Sequence, residues 1–346
     1  MPVEVDLSPK AAEKVAREAA VQSFDNAARS IAIDWCLTTL DGKQVQRWSE
    51  KLGQRVVERR QAEVEAYERG ERQACKQNEP QLLVIEIDGG RVQNRLKNEE
   101  GSRWREDKLA TVSTALPGNP KAAKEADRQA SMLVTTHVAT MGDAKAIGKL
   151  ARVEAEKRML CHAQQVVVLG DGAAWIDGVC EEHFGCHARI VDYYHAAEHV
   201  HDCAKALWPD EESKQTEQAD RWKTLLWEGA TEVLLDQLKR ESTRIGQPLE
   251  EDGKQHPRRV LHQNVGYFTK HARHMKYPDY RDRGWPIGSG TVESGMKQVN
   301  KRMKGTDQFW NTEGAESILA LRGQWLSQDQ RWEHYWLCTQ PRAEAA

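Results

Sequence analysis

The hydrophobic pattern changes character along the chain. Over residues 1–78, apolar positions recur at helical spacing among charged ones. Ser8-Pro9 reads as an N-cap followed by proline at the first helical position, with helix formers from Lys10 to Ala20. A second helix is predicted from Phe24 to Leu40, with Ile31, Trp35 and Leu37 among its apolar positions. Asp41-Gly42 breaks it, and a charged third helix runs from Lys43 to Arg69. From Pro80 the pattern turns to short strands. The apolar run Leu82 to Ile87 ends in Asp88-Gly89-Gly90, and a second strand spans Trp104 to Thr114. After the loop Leu116-Pro117-Gly118-Asn119-Pro120, β-branched residues mark a third strand from Met132 to Thr140. A helix from Asp143 to Cys161, a strand over Val166–Leu169 buried on both faces, a short helix from Ala173 and a fifth strand from Ala188 to Tyr193 follow.

Residues 196–284 carry only helical patterning, too long for a loop. Beyond Trp285-Pro286 comes a helix bearing Glu293, then another through Leu319, Leu321 and Arg322. The expected fold is therefore α/β, with the element order of a ribonuclease-H-like mixed sheet flanked by helices. Its segments are a helical N-terminal region (1–78), a first part of the core (79–195), an all-helical insertion (196–284), a second part of the core (285–326) and a C-terminal tail (327–346).

Composition narrows the function classes. The 346 residues are 39% hydrophobic and 30% charged, enough for a packed core. A net charge of −3 argues against a protein that coats DNA, but phosphate contact depends on local clustering. Such a cluster exists: Lys297, Lys301, Arg302 and Lys304 with no intervening acid. They are read as phosphate contacts, the alternative being a solvated helix face. Seven cysteines without regular spacing fit a reducing compartment. There is no apolar run of membrane-spanning length and no basic-then-apolar leader, so a cytoplasmic location with no membrane partner is expected.

Candidate chemistry lies in three acids. Asp88 and Asp171 each end a predicted strand in Asp-Gly, and Glu293 sits on the first turn of a helix whose later turns are basic. Phosphodiesters are anionic and inert; two Mg²⁺ (or Mn²⁺) ions about 4 Å apart activate the attacking oxygen and stabilise the leaving one. Mg²⁺ takes hard oxygen ligands, so Asp88, Asp171 and Glu293 are the expected metal ligands and catalytic acids. A helix N-terminus is also the end that favours a carboxylate. The order strand-Asp, strand-Asp, helix-Glu is that of ribonuclease-H-like nucleases and transposases.

The motifs carry a more specific likeness. Asp171-Gly172-Ala173-x-Trp175-Ile176, Asp192-x-x-His195-x-x-Glu198-His199 and Gly288-Ser289-Gly290-x-Val292-Glu293-x3-Lys297 resemble the ISKra-type family of bacterial insertion-sequence transposases. Arg302-x-Lys304, Trp310-x3-Gly314-Ala315 and Leu321-Arg322 extend the likeness, which covers roughly Gln81 to Arg322. It implies a DDE enzyme with Asp88, Asp171 and Glu293 as its triad, cutting double-stranded DNA at element ends and joining the 3′-hydroxyls to target DNA. A homodimer or higher assembly on paired ends would follow. Members of that family are often longer at the N-terminus, with cysteine-rich motifs; this chain has no CxxC. Two other readings stay open: a transposase-derived DNA-binding regulator that does not cut, and a nuclease of the same fold.

Secondary features are less specific. Asp192 and His195 are read either as neighbours of the metal site or as a structural link between strand and helix. The first helices form either a helix-turn-helix, with Gln44, Gln46, Arg47, Lys51 and Arg55 facing DNA, or a helical hairpin. Cys180, His183, Cys186 and His187 are too tightly spaced for a zinc site. Trp208, Trp222 and Trp227 fit core packing better than base stacking. Arg258, Arg259, Lys270, His271 and Arg273 form a second basic cluster.

Overall fold

Ser8 accepts the backbone N–H of Ala11, and Pro9 stands at the first helical position, so α1 (Pro9–Val21) starts where the sequence predicts. The computed structural model describes residues 7–71, 79–305 and 308–338. The expected helical region 1–78 and tail 327–346 therefore lie partly outside the described residues. Ser23 caps α2 (Phe24–Asp34), which is shorter than the sequence suggests. Cys36 enters the left-handed region at φ 54°, ending the helical path. Asp41, expected to break α2, instead caps α3 (Gly42–Glu68) by accepting the N–H of Gln44 at 2.7 Å. The link, residues 35–41, is longer than the roughly three- or four-residue turn of a helix-turn-helix.

The strands are β1 (Leu82–Gln93), β2 (Trp104–Leu116) and β3 (Ser131–Thr140); after α4 (Ala144–Lys157) come β4 (Gln165–Gly170), α5 (Ala174–Phe184) and β5 (Ala188–Val191). They form one mixed five-stranded sheet in the order β3-β2-β1-β4-β5. β4 and β5 are parallel, with Val167 opposite Ala188 and Gly170 opposite Val191. One expectation is corrected: β1 does not stop at Asp88-Gly89-Gly90 but runs through it to Gln93. The neighbouring β2 is longer than β1, so the ladder continues past the glycines, which need not turn.

Between β5 and residue 284 the described residues carry helices and no strand: α6 (Tyr193–Leu207), α7 (Glu212–Trp227), α8 (Thr231–Ile245), α9 (Pro257–His271) and α10 (Tyr277–Asp282), with a short 3₁₀ turn after α9. Then come α11 (Gly290–Met303), α12 (Thr312–Leu326) and α13 (Arg331–Cys338). The segment expected to be a tail thus carries α13, whose Trp332, Tyr335 and Trp336 are buried.

The chain divides into two compact units. The first comprises Met1–Thr114, Met132–Gln165 and Gly290–Ala346. Its core joins Val15, Ile31, Leu52, Val299, Ile318 and Leu321 with Trp310 and the α13 aromatics. The buried stripe of α3 packs on α12, where Gly53 lies against the backbone of Ser317 and leaves no room for a Cβ. A buried ion pair, Glu154 with Arg331, ties α4 to α13. The second unit comprises Ala115–Ser131 and Val166–Ser289. Trp222 is its largest fully buried side chain and donates to Gln237 at 2.8 Å, so that tryptophan is core, as expected. Trp227 is 42% exposed and carries Arg281 over its ring at 3.7 Å.

Candidate active site

In the first unit the site is built on one face of β1. Side chains alternate along a strand, so Glu86, Asp88 and Gly90 share a face. α11 covers that face. Glu86 is 1% exposed, and its carboxylate accepts the N–H of Val292 at 2.5 Å, satisfying a donor that the start of α11 leaves without an intrahelical partner. At Gly90 an added Cβ would lie 2.6 Å from Met296 Sδ and 2.7 Å from Asp107 Oδ1. A glycine is therefore required there by close approach rather than by a turn.

Asp88 is half-buried, and its Oδ1 accepts the N–H of Gly89 at 2.7 Å. Glu293 lies on the first turn of α11, three residues before Met296 and hence on the same helix face. Its carboxylate is 3.9 Å from Lys297 Nζ. Asp107, on β2, is 0% exposed, and neither of its carboxylate oxygens accepts a hydrogen bond from another residue. Burial pushes the Asp107 carboxyl up to about 6; its own backbone N–H opposes the shift, as do Lys304 and Lys108, while the negative charge of Asp88 adds to it.

In the second unit Asp171 follows β4, as predicted. Its Oδ1 accepts the N–H of Ala173 at 2.8 Å in a tight turn, and Gly172 between them has φ +88°. The hydroxyl of Tyr267 donates to the Asp171 carbonyl at 3.0 Å, fixing the turn on α9.

Asp192 is fully buried and heavily engaged. Oδ1 accepts the N–H groups of Tyr194 (2.6 Å) and His195 (3.0 Å), capping α6. Oδ2 accepts the hydroxyl of Ser289 at 2.6 Å and its N–H. Of the two readings of Asp192, these four donors support the structural one: it caps α6 and holds Ser289. The His195 side chain is 34% exposed and lies 3.4 Å from Glu198, one turn ahead on α6.

The basic cluster divides. Lys297, Lys301 and Lys304 are exposed on or just after α11, and Lys304 sits 5.9 Å from the Trp104 ring centroid. Arg302 is 2% exposed, which corrects its reading as a phosphate contact. It donates to Ala19 O at 2.6 Å and lies over the rings of Phe24 and Trp310. Arg322 donates to Ala20 O at 3.2 Å, so two cations serve carbonyls at the C-terminal end of α1. Arg47 and Lys51 are exposed on α3. In the second cluster, Arg258 pairs with Asp252 at 2.7 Å.

Among the described residues, no three carboxylate, imidazole or thiolate groups gather closely enough to hold a metal ion. Asp88, Asp107 and Glu293 in the first unit and Asp171 in the second each carry hard carboxylate oxygens, the donor type that a divalent cation takes. Sequence reading missed Glu86 and Asp107. Glu86 signals itself as the lone acid inside the apolar run Leu82–Ile87, two residues before Asp88. Asp107 hides in the charged run Arg105-Glu106-Asp107-Lys108, which has no apolar face to mark it as interior.

No protein-family model matches the chain, and no curated protein matches it. Among solved structures, the Drosophila P element transposase strand transfer complex aligns with 95% of this chain and 94% of that chain, at 10% identity and a TM-score of 0.38. Identity and score are both too low to assign a fold or an activity. No helix among the described residues is long and apolar enough to cross a membrane.

Proposed function

We propose that the chain is a DNA transposase of the ribonuclease-H-like type, related to the ISKra-type insertion-sequence family, using Asp88, Asp171 and Glu293 as its catalytic acids. The observation that carries this reading is the bond from the N–H of Val292 to Glu86. It fastens the start of the Glu293 helix to the strand that bears Asp88. A solvated helix acid that happened to follow a glycine loop would need no such anchor.

Two Mg²⁺ or Mn²⁺ ions bound by the acids would activate the attacking oxygen and stabilise the leaving one. The chain's own residues have the remaining tasks. Asp88 and Glu293 present carboxylates from a strand and a helix joined through Glu86. Asp171 is presented from a turn with a fixed shape, since its side chain bonds Ala173 and its carbonyl bonds Tyr267. Asp192 holds Ser289 through its carboxylate. Lys297, Lys301 and Lys304 project outward from the end of the chain segment that carries Glu293, where phosphate groups would be met. Arg47 and Lys51, exposed on α3, are assigned to flanking DNA, and assembly as a dimer or higher oligomer on paired ends completes the reading.

The experiment is a product analysis on labelled DNA flanking the encoding gene, with purified protein and Mg²⁺ or Mn²⁺, beside Asp171→Asn. Metal-dependent cut ends that are then joined to a second duplex, both lost in the variant, support a transposase. Cutting without joining would replace that reading with a nuclease, and binding without cutting would replace it with a regulator.

A further inference from the structure

A buried carboxylate without hydrogen bonds is a costly thing to keep in a fold. Removing an ionised carboxylate from water costs several kcal/mol unless a cation, a set of donors or a proton compensates. Other buried acids among the described residues are compensated: Glu154 by Arg331, Asp192 by four donors, Glu86 in part by Val292. Asp107 is 0% exposed, and neither of its oxygens accepts a hydrogen bond from another residue.

Its position is equally specific. Asp107 lies on β2, the neighbour of β1 in the sheet. Its Oδ1 packs beside Met296 Sδ against Gly90, where an added Cβ would come within 2.7 Å of the one and 2.6 Å of the other. Gly90 stands two residues from Asp88 on the same strand face, the face covered by the Glu293-bearing helix. The two lysines whose charges reach Asp107 do not bond it: Lys108 pairs with Glu106 at 2.8 Å, and Lys304 lies over Trp104. Two aspartates on adjacent strands, one of them buried with no hydrogen bond from another residue, are of the donor type that usually holds Mg²⁺, one or two carboxylates with water completing the shell.

We propose that Asp107 is a further ligand of the divalent cation at Asp88, so that this unit holds one cation between β1 and β2. The proposal rests on the reading of Asp88 as a cation ligand. It makes the acidic set of the protein larger than the two strand aspartates and one helix glutamate that the motifs mark.

The test is Mn²⁺ binding to the full chain without DNA, by electron paramagnetic resonance and calorimetry. Wild type, Asp88→Asn, Asp107→Asn and Asp107→Ser are compared, and the Asp107 result is read on whichever substitution unfolds cooperatively. The expected result is Mn²⁺ binding by wild type that weakens at least about tenfold when Asp107 is replaced. Wild-type binding that is lost in Asp88→Asn but unchanged on replacing Asp107 would overturn this inference and leave the reading of Asp88 intact. No Mn²⁺ binding by wild type would overturn both.

Discussion

The carboxylate of Glu86 accepts the backbone N–H of Val292 at 2.5 Å, joining the central strand to the first turn of the helix that carries Glu293. Both groups are buried, so losing the acceptor would strand a donor away from water. Glu86→Leu is expected to destabilise the protein by about 1–3 kcal/mol and to lower strand transfer, whereas Glu86→Gln, which retains an acceptor, should fall between it and wild type. Denaturant unfolding with parallel rate measurements checks this. Equal stability of all three proteins would mean that the bond does not anchor α11.

Asp107 gives a pH signature. Its folded pKa of about 6 lies above the ordinary 3.8, so folding favours the protonated acid. The associated stability is fully present below about pH 4 and is lost as pH rises through about 6. Asp107→Asn should therefore match wild type near pH 4 and exceed it by roughly 3 kcal/mol above pH 7, measured without divalent metal. An advantage that does not grow with pH would contradict the burial argument.

The Glu154–Arg331 pair behaves in the opposite sense. Burial pushes Glu154 up, but the charges of Arg331 and Lys157 outweigh it and hold the acid well below the usual carboxylate range. Its contribution is present above the ordinary pKa near 4.5 and fades as pH falls. Arg331→Met leaves a buried charge poorly matched and should cost about 3–5 kcal/mol at pH 7, with a smaller loss in acid. Chemical unfolding at two pH values measures it.

The split of the basic cluster predicts two phenotypes. Lys297, Lys301 and Lys304 are exposed, so replacing each with Gln should reduce the slope of log affinity against log salt by up to about 0.9 for every phosphate left without its cation. Arg302→Met should leave that slope unchanged and lower the unfolding temperature, because Arg302 is spent on Ala19 O and two aromatic rings. A salt titration of DNA binding, with a thermal scan of each variant, separates the two effects.

Much of the fold was legible because local signals and burial agree. Ser8-Pro9 and Asp143 mark helix starts that the structure keeps. The apolar runs at Leu82 and Val166 became buried strands, and the strandless patterning after His195 became helices. Misreadings arose where a residue's role is set by a distant partner. Asp88-Gly89-Gly90 has the composition of a turn, yet β2 extends the ladder through it. Arg302 sits in a run of surface cations, but helical periodicity turns it inward onto α1. Trp332, Tyr335 and Trp336 close the core from a short segment whose local pattern reads as a tail. The acids at Asp88, Asp171 and Glu293 could be marked by motif; Asp107 could not, since only packing shows that its carboxylate is buried and takes no hydrogen bond from another residue.

The most direct measurement is strand transfer by wild type and Glu293→Gln, with DNA binding recorded on the same preparations. Glu293 lies on the first turn of a helix anchored elsewhere, by Glu86, so the substitution should leave the fold and the DNA-binding surface in place. The account predicts metal-dependent joined products from wild type, their loss by at least about a hundredfold in the variant, and equal DNA affinity for both. Joined products of equal yield from Glu293→Gln, or none from wild type in Mg²⁺ or Mn²⁺, would contradict it.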